Sequence, residues 1–332
     1  MHPKSRWWTE KKRDQDPGLV EAFRQTVNAY VAGTPQDETV CWVGLHPGQI
    51  CRKMAHAGYA ISRYLVTTLL AWCGFRRRRY RKTQCLGQNP LRNAQFEHIA
   101  RLREAFAARD WPILSLDTKH KERLGNFDRG DSYSGLDRRQ VNDHDFPSAA
   151  TGLVIPHGIY DVTRNHGYIT LGTSHDTSEF VCDNLRWDWQ QDLQWRYPQA
   201  DALLLLCDGG GSTSCRHTLV KYDLARVADQ LGLHLLVAHY PADGSKWNPI
   251  EHRLFCHLHR AWQGAIFHSL YVVKELALAT ATTTGLTVSV RINPQVYATG
   301  QTVPEDWKQR LHDQILFDDH IPQWNYLVRA WT

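Results

Sequence analysis

Three short, continuously apolar runs constrain this chain more than any other feature: PILSLD at 112–117, DALLLLCD at 201–208 and LHLLVAHYP at 233–241. Each is too short for a buried helix and is bounded by polar or turn-forming residues, so each reads as a buried strand. Between them lie segments of helical character, at about 176–195 and 214–231, and a further helix is expected over 248–262. In that last helix Ile250, Leu254, Leu258 and Trp262 recur every fourth residue and mark a buried stripe. Alternating strands and helices imply a layered α/β domain. The stretch 156–174, with an Asn and a Gly in TRNHG, reads as paired strands around a turn. RQVNDHDF at 139–146 reads as another strand. No internal repeat of fixed period is present.

The first 110 residues have a different texture. They read as helical and basic, with a helix from Gly18 to Ala32 stopped by Gly33, Thr34 and Pro35. A helix over 48–57 and a second one capped by Ser62 and ending near Cys73 are joined at Gly58, with Gly74 just beyond. Two helices around a glycine turn match a helix-turn-helix, whose second helix reads the DNA major groove. The bland alternative is any small helical bundle. In that second helix Arg63, Tyr64 and Thr67 lie off the apolar stripe of Ile61, Leu65 and Leu69 and are candidate DNA contacts. The run FRRRRYRK at 75–82 follows directly, and six of its eight residues are basic: Arg76, Arg77, Arg78, Arg79, Arg81 and Lys82. Such a run suits phosphate contacts, which anchor a module without reading bases. The net charge of +5 says much less than this local concentration.

Composition removes several function classes. The eight cysteines are scattered with no C-x-x-C pair, which argues against a zinc module or a disulfide framework. No stretch reaches the 18 apolar residues of a membrane span, and the N-terminus lacks the apolar core of a secretory signal. A cytoplasmic, nucleoid-associated location is expected. DGGGS at 208–212 lacks the lysine of a phosphate-binding P-loop. His239, His252, His257 and His259 fit no familiar zinc spacing.

Two of the apolar runs end in a carboxylate, at Asp117 and Asp208, and Glu251 opens the helix after the third. In open α/β sheets, sites form at the carboxyl ends of strands. Three acids delivered there suit Mg²⁺, a hard cation that prefers oxygen ligands. Taken singly, each acid also has a plain structural use, in a turn or at a helix N-terminus.

The ordered blocks SLDTKHKERLGNF, CDGGGS and HYPADGSKWNPIEHRLF, with NDHDFPS, IPHGIYDVTRNHGYITLGTSHDTSEF and a late WNY between and beyond them, resemble the DDE domain of bacterial insertion-sequence transposases. The group with the Rhodopirellula-type transposase DDE domain, related to the mariner-like branch, is the most similar. The resemblance covers about 85–330. It implies an RNase H-like mixed sheet flanked by helices, preceded by the helical helix-turn-helix region. It implies Asp117, Asp208 and Glu251 as catalytic and metal-binding residues, Mg²⁺ as cofactor with Mn²⁺ as the alternative, and cleavage plus strand transfer at terminal inverted repeats. Double-stranded DNA and a homo-oligomer in a synaptic complex are the implied partners. His120 departs from the pattern, standing where a lysine is expected. Lys119 and Lys246 are further candidate DNA contacts, ordinary surface lysine being the equal alternative. The expected organisation is a DNA-binding region over 1–84, a connecting helix over 85–110 and a catalytic domain over 111–332. A transposase-derived DNA-binding protein without activity, and a nuclease that cannot join strands, remain the alternatives.

Overall fold

A computed structural model describes residues 16–34, 37–76, 89–129, 140–142, 147–241 and 244–331. The chain divides into two compact units, residues 1–84 and 85–332.

In the first unit, α1 (Pro17–Asn28) starts where Asp16 accepts a hydrogen bond from the Leu19 amide at 3.0 Å and Pro17 fills the first turn. Leu19, Phe23 and Val27, four residues apart, are buried. A two-stranded hairpin follows, β1 (Val31–Thr34) against β2 (Asp37–Val43). This corrects the all-helical reading of the region. The helix stops at Asn28, and the β-branched Val31 and Val43 pair across an extended ladder in place of a further helical turn. Then come α2 (Pro47–His56) and α3 (Arg63–Trp72), joined through Gly58 at φ +89°. Ser62 caps α3 by accepting from the Leu65 amide at 3.2 Å, and Gly74 leaves it at φ +88°. Ile50, Met54, Leu65, Val66 and Leu69 close the core with the α1 residues.

The second unit is built on one large sheet. Its strands are β3 (Ile113–Thr118), β4 (Glu122–Leu124), β5 (Gly152–Asp161), β6 (His166–Gly172), β7 (Ala202–Asp208), β8 (His234–Tyr240), β9 (Thr287–Asn293), β10 (Ile315–Phe317) and β11 (Asn325–Val328). The order is β10-β11-β8-β7-β3-β5-β6-β9, with β4 paired to β5 off this path. β5 runs antiparallel to β3 and β6, whereas β7 is parallel to β3 and β8 parallel to β7. A central β6-β5-β3-β7-β8 block with these directions is the RNase H-like arrangement. The turn between β5 and β6 holds Asn165 at φ 52°, a conformation asparagine tolerates. RQVNDHDF, in contrast, is not a strand over its described residues: Asn142 makes one isolated bridge to Phe127. Val141, the apolar residue among those described in this segment, stays exposed.

Side chains alternate between the faces of each strand. Leu114 and Leu116 of β3 with Leu203 and Leu205 of β7 face α5 (Ser178–Asp188) and α6 (Thr218–Leu231). Ile113, Leu204, Leu206 and Ala238 face the other way, onto Ile99 and Phe106 of α4 (Arg92–Ala108). The segment expected to connect the two regions thus packs on the sheet of the second unit. On this same face Ile250, Leu254, Leu258 and Trp262 cover β5 and β6 together with α8 (Leu270–Leu278). The chain over 248–262 is not one regular helix: Glu251–Phe255 is a π turn leading into α7 (Cys256–Trp262). A four-residue repeat overshoots a 3.6-residue turn by about 40° per step. The wider turn absorbs that drift and keeps the stripe on the sheet. The last helix, α9 (Glu305–Gln314), adds Leu311 to the first face.

Two glycines set how closely this helical segment approaches. A Cβ at Gly158 would lie 2.6 Å from the Phe255 ring and 2.8 Å from Ile250, and one at Gly167 would collide with Leu254. Gly158 is also the register partner of Asp117. Gly158→Ala or Gly167→Ala should therefore destabilise the second unit by roughly 1–3 kcal/mol through overpacking. The expected result is a lower urea midpoint with an unchanged slope; midpoints equal to wild type would show that the segment is not seated as described.

Candidate active site

The β3–β7 register builds the centre of the site. Ile113 pairs with Leu204 and Leu116 with Cys207, a constant offset of 91 residues in two parallel strands. One step further, Asp117 and Asp208 stand side by side at the carboxyl ends of both strands. By alternation both point to the face that carries Ile113 and Leu204, the face on which the Glu251 segment lies. Glu251 is the first residue of the π turn, a distortion that recurs at functional sites.

The electrostatics show that the acids share one cleft. The Asp117 carboxyl is pushed up to about 8, first by burial and then by the charge of Asp208, with Glu251 adding to the rise. Glu251 acts on Asp117 as a near neighbour, and its effect is in the same upward direction as that of Asp208. The Thr118 amide works against this rise, donating to Asp117 Oδ1 at 2.7 Å. Asp208 is raised as well, by burial and then by Glu251, while the Asn248 side chain opposes the shift from 3.3 Å. Like charges in a poorly solvated cleft resist joint ionisation. The arrangement calls for positive counter-charge.

The three carboxylates offer hard oxygen donors. Among the described residues, no group of three His, Cys, Asp or Glu side chains forms a ready metal cage. The histidines have other uses. His239 is buried beneath the site and donates from Nδ1 to the Asp208 carbonyl at 2.9 Å; burial holds it neutral, near 4. His252 donates from Nε2 to the Lys246 carbonyl.

A cleft of about 730 Å³ opens beside Glu251, lined by Thr118, Lys119, His120, Lys121, Asp176, Phe255, Cys256 and His259. Lys119 is engaged within the unit: its ammonium lies 2.8 Å from Glu122 and 5.0 Å above the Trp262 ring. Lys246 is exposed, its ammonium 5.6 Å from the Trp247 ring centre. Arg63, Tyr64 and Thr67 form an exposed face of α3, and Arg76 is exposed beyond it. Arg77, Arg78, Arg79, Arg81 and Lys82 lie outside the described residues.

Two residues at the site carry no motif that singles them out. Asp176 lies just before the Thr177 cap of α5 and accepts from Thr118 Oγ1 at 3.0 Å, which brings a fourth acid to the cleft rim. Ser115 is fully buried in β3; its available signal is the lone hydroxyl inside an apolar run, which demands a partner.

The raised carboxyls make a stability forecast. A folded-state value of about 8 against 3.8 unfolded means that Asp117 keeps its proton in the native state and loses it in the unfolded one. The resulting stabilisation is full below about 3.8, declines as pH rises and is gone above about 8. With divalent cations chelated, wild type should lose several degrees of melting temperature between pH 5 and 8.5. Asp117→Asn should lose less and melt above wild type at pH 8.5; each kcal/mol moves a unit of this size by about 2–4 °C. Parallel curves for the two proteins would contradict the shared-cleft electrostatics.

With the geometry in place, comparison with known proteins gives the family. Among solved structures, the Mos1 transposase paired-end complex with left transposon end is similar at 14% identity and TM-score 0.43, over 77% of this chain and 68% of that one. The Mos1 strand transfer complex gives 15%, TM-score 0.43 and the same coverage. The mariner Mos1 paired end complex with Mg gives 15% and TM-score 0.43, over 70% of this chain and 65% of that one. Likeness at this level carries no functional weight. No curated protein matches the chain. Among the described residues no helix is long and apolar enough to cross a membrane. The model of the Rhodopirellula transposase DDE domain matches residues 22–330, nearly the whole chain, and the protein belongs to that family.

Proposed function

We propose that this chain is a DNA transposase that cleaves the ends of its element and transfers the freed 3′-OH strand to target DNA, using Asp117, Asp208 and Glu251. The observation that carries this reading is the convergence of the three acids on one face at the carboxyl end of β3 and β7. A structural use for each acid would have turned them to separate patches of solvent. Family membership adds the reaction class.

Asp117 and Asp208 would hold a pair of Mg²⁺ ions, or Mn²⁺, with Glu251 completing the shell of one of them. When bound, such a pair supplies charge stabilisation to the attacking and leaving oxygens of an in-line displacement. In the first step a water oxygen would bond to the phosphorus at the element end, its proton would pass to a carboxylate of the cleft, and the P–O3′ bond would break, the departing 3′ oxygen taking up that proton by way of the cleft to become a 3′-OH. In the second, that 3′ oxygen would bond to a target phosphorus and give up its proton, while the target's own P–O3′ bond breaks and the departing oxygen takes up a proton to become a 3′-OH. Glu251, whose charge bears on Asp117, would orient the nucleophile. Holding the DNA end between the steps makes the second one effectively unimolecular, which supplies much of its rate.

Residues 1–84 would bind the terminal inverted repeats, with Arg63, Tyr64 and Thr67 of α3 towards base edges and Arg76, Arg77, Arg78, Arg79, Arg81 and Lys82 on phosphates. Lys246, exposed in the turn before the Glu251 segment, would meet the DNA backbone. Lys119 would line the DNA path through its stem while its charge stays with Glu122. Two element ends must be held together for joining, so a homo-oligomer is the working form.

Incubating the protein with Mg²⁺ and DNA carrying the element ends, then mapping cut and joined strands, tests the reading. Asp117→Ala, Asp208→Ala and Glu251→Ala should each lower cleavage and joining by about 10²–10³-fold or more, since the lost stabilisation is several kcal/mol. DNA affinity should stay. Near-normal cleavage by any of them would sink the assignment, and DNA binding without cutting by wild type would favour an inactive DNA-binding protein. Neutralising Arg76, Arg77, Arg78 and Arg79 should weaken all sequences alike and flatten the log–log salt slope by about 0.9 per lost contact. Arg63→Ala and Tyr64→Ala should instead change sequence preference; an unaltered footprint would count against α3 as the reading helix.

A further inference from the structure

We propose that Ser115 and Asn248 act as one positioning relay that fixes the three acids relative to each other, an inference that rests on the phosphoryl-transfer reading above. Both side chains are fully buried. Ser115 stands two residues before Asp117 on the same face of β3. Its Oγ accepts from the Ile250 amide at 3.0 Å and donates to Asn248 Oδ1. Asn248 Nδ2 then donates to Asp208 Oδ1 at 3.3 Å and to the Leu116 carbonyl at 3.4 Å.

The directions of these bonds are forced. The Leu116 carbonyl and the Asp208 carboxylate present acceptors, so Asn248 turns its NH₂ to them and its oxygen to Ser115. That oxygen can only accept, so the hydroxyl proton goes to it, and the Ile250 N–H, which can only donate, meets a lone pair of Ser115. The opposite amide orientation would set the Asn248 oxygen against both acceptors.

The relay also diverts Asn248 from its ordinary task. It stands directly before Pro249 at the start of the helical segment, the position where an asparagine side chain usually caps an amide two or three residues on. Here Ser115, from a strand 133 positions away, meets the Ile250 amide instead. The Asn248 amide is thereby released to reach Asp208. One hydroxyl and one carboxamide thus tie β3, β7 and the turn that starts at Glu251. The side chains that hold reacting groups in register matter because a displacement of about 1 Å can cost about 10²-fold in rate.

Threonine and valine at 115 have the same shape and differ in the hydroxyl. Single-turnover cleavage of element-end DNA, DNA affinity and melting temperature are measured for wild type, Ser115→Thr and Ser115→Val. The relay predicts that Ser115→Thr keeps most of the wild-type rate, whereas Ser115→Val falls by about 10²-fold with unchanged DNA affinity. Adding Asn248→Ala to Ser115→Val should cost little more, because the two act as a unit. Equal rates for the threonine and valine variants, fast or slow, overturn the relay, since crowding and not the hydroxyl would then set the rate. Should Ser115→Val unfold at assay temperature, Asn248→Ala alone decides. It leaves the Ser115–Ile250 bond in place, so a wild-type rate overturns the relay and a rate loss at unchanged DNA affinity supports it. A wild type that cuts no DNA overturns the transposase reading and this inference together; a cutting wild type with an equally fast Ser115→Val overturns this inference alone.

Discussion

The parallel pairing of β3 with β7 fixes everything that matters at the site. Its register sets Leu116 against Cys207, so the next residues, Asp117 and Asp208, become neighbours. A slip by one residue would turn a whole strand over and send one aspartate to the face of α5 and α6. That slip is resisted by burial on both faces, with Leu114, Leu116, Leu203 and Leu205 on one side and Ile113, Leu204 and Leu206 on the other. The register of the two aspartates is thus held by apolar residues of both strands.

The third acid arrives by packing rather than by pairing. Gly158 and Gly167 clear a path for Ile250, Leu254 and Phe255, so the Glu251 turn lies directly on the sheet. The close approach has an electrostatic cost. Glu251 joins two buried aspartates, and Asp117 rises to about 8 as a result of burial and these neighbours. Hydrogen bonds from the Thr118 amide and the Asn248 carboxamide offset part of that cost. The remainder is the physical reason a cation would be drawn to this cleft and to DNA phosphates entering it.

Local features of this fold were legible in the sequence wherever they depend on near neighbours. The buried strands that carry Asp117 and Asp208 near their carboxyl ends, the Ser62 cap of α3 and the turn at Asn165 all follow from residues within a few positions. The resemblance in the NPIE block supplied Glu251. What pattern could not supply depends on partners far along the chain. The β1–β2 hairpin replaced an expected helix end because Val31 finds Val43. β9 does carry a strand pattern, Val288, Val290 and Ile292 alternating with polar residues, but its place at the sheet edge comes from pairing with β6, from His166 against Thr287 to Gly172 against Asn293. Ser115 looks like an interruption of an apolar run until Ile250 and Asn248 are brought to it, and Asp176 looks like a helix-start acid until Thr118 reaches it. The π turn at Glu251–Phe255 is hinted at only by the strict four-residue spacing of its stripe.

The central claim is that Asp117, Asp208 and Glu251 form one shared cation site. Its most direct test is the anomalous difference density of crystals of the full chain with element-end DNA, soaked in Mn²⁺. The account predicts peaks between the Asp117 and Asp208 carboxylates and beside Glu251, with a separation of about 3.5–4 Å if two ions are held. Peaks confined to other acids, or three carboxylates turned to different sides with no density between them, would contradict it.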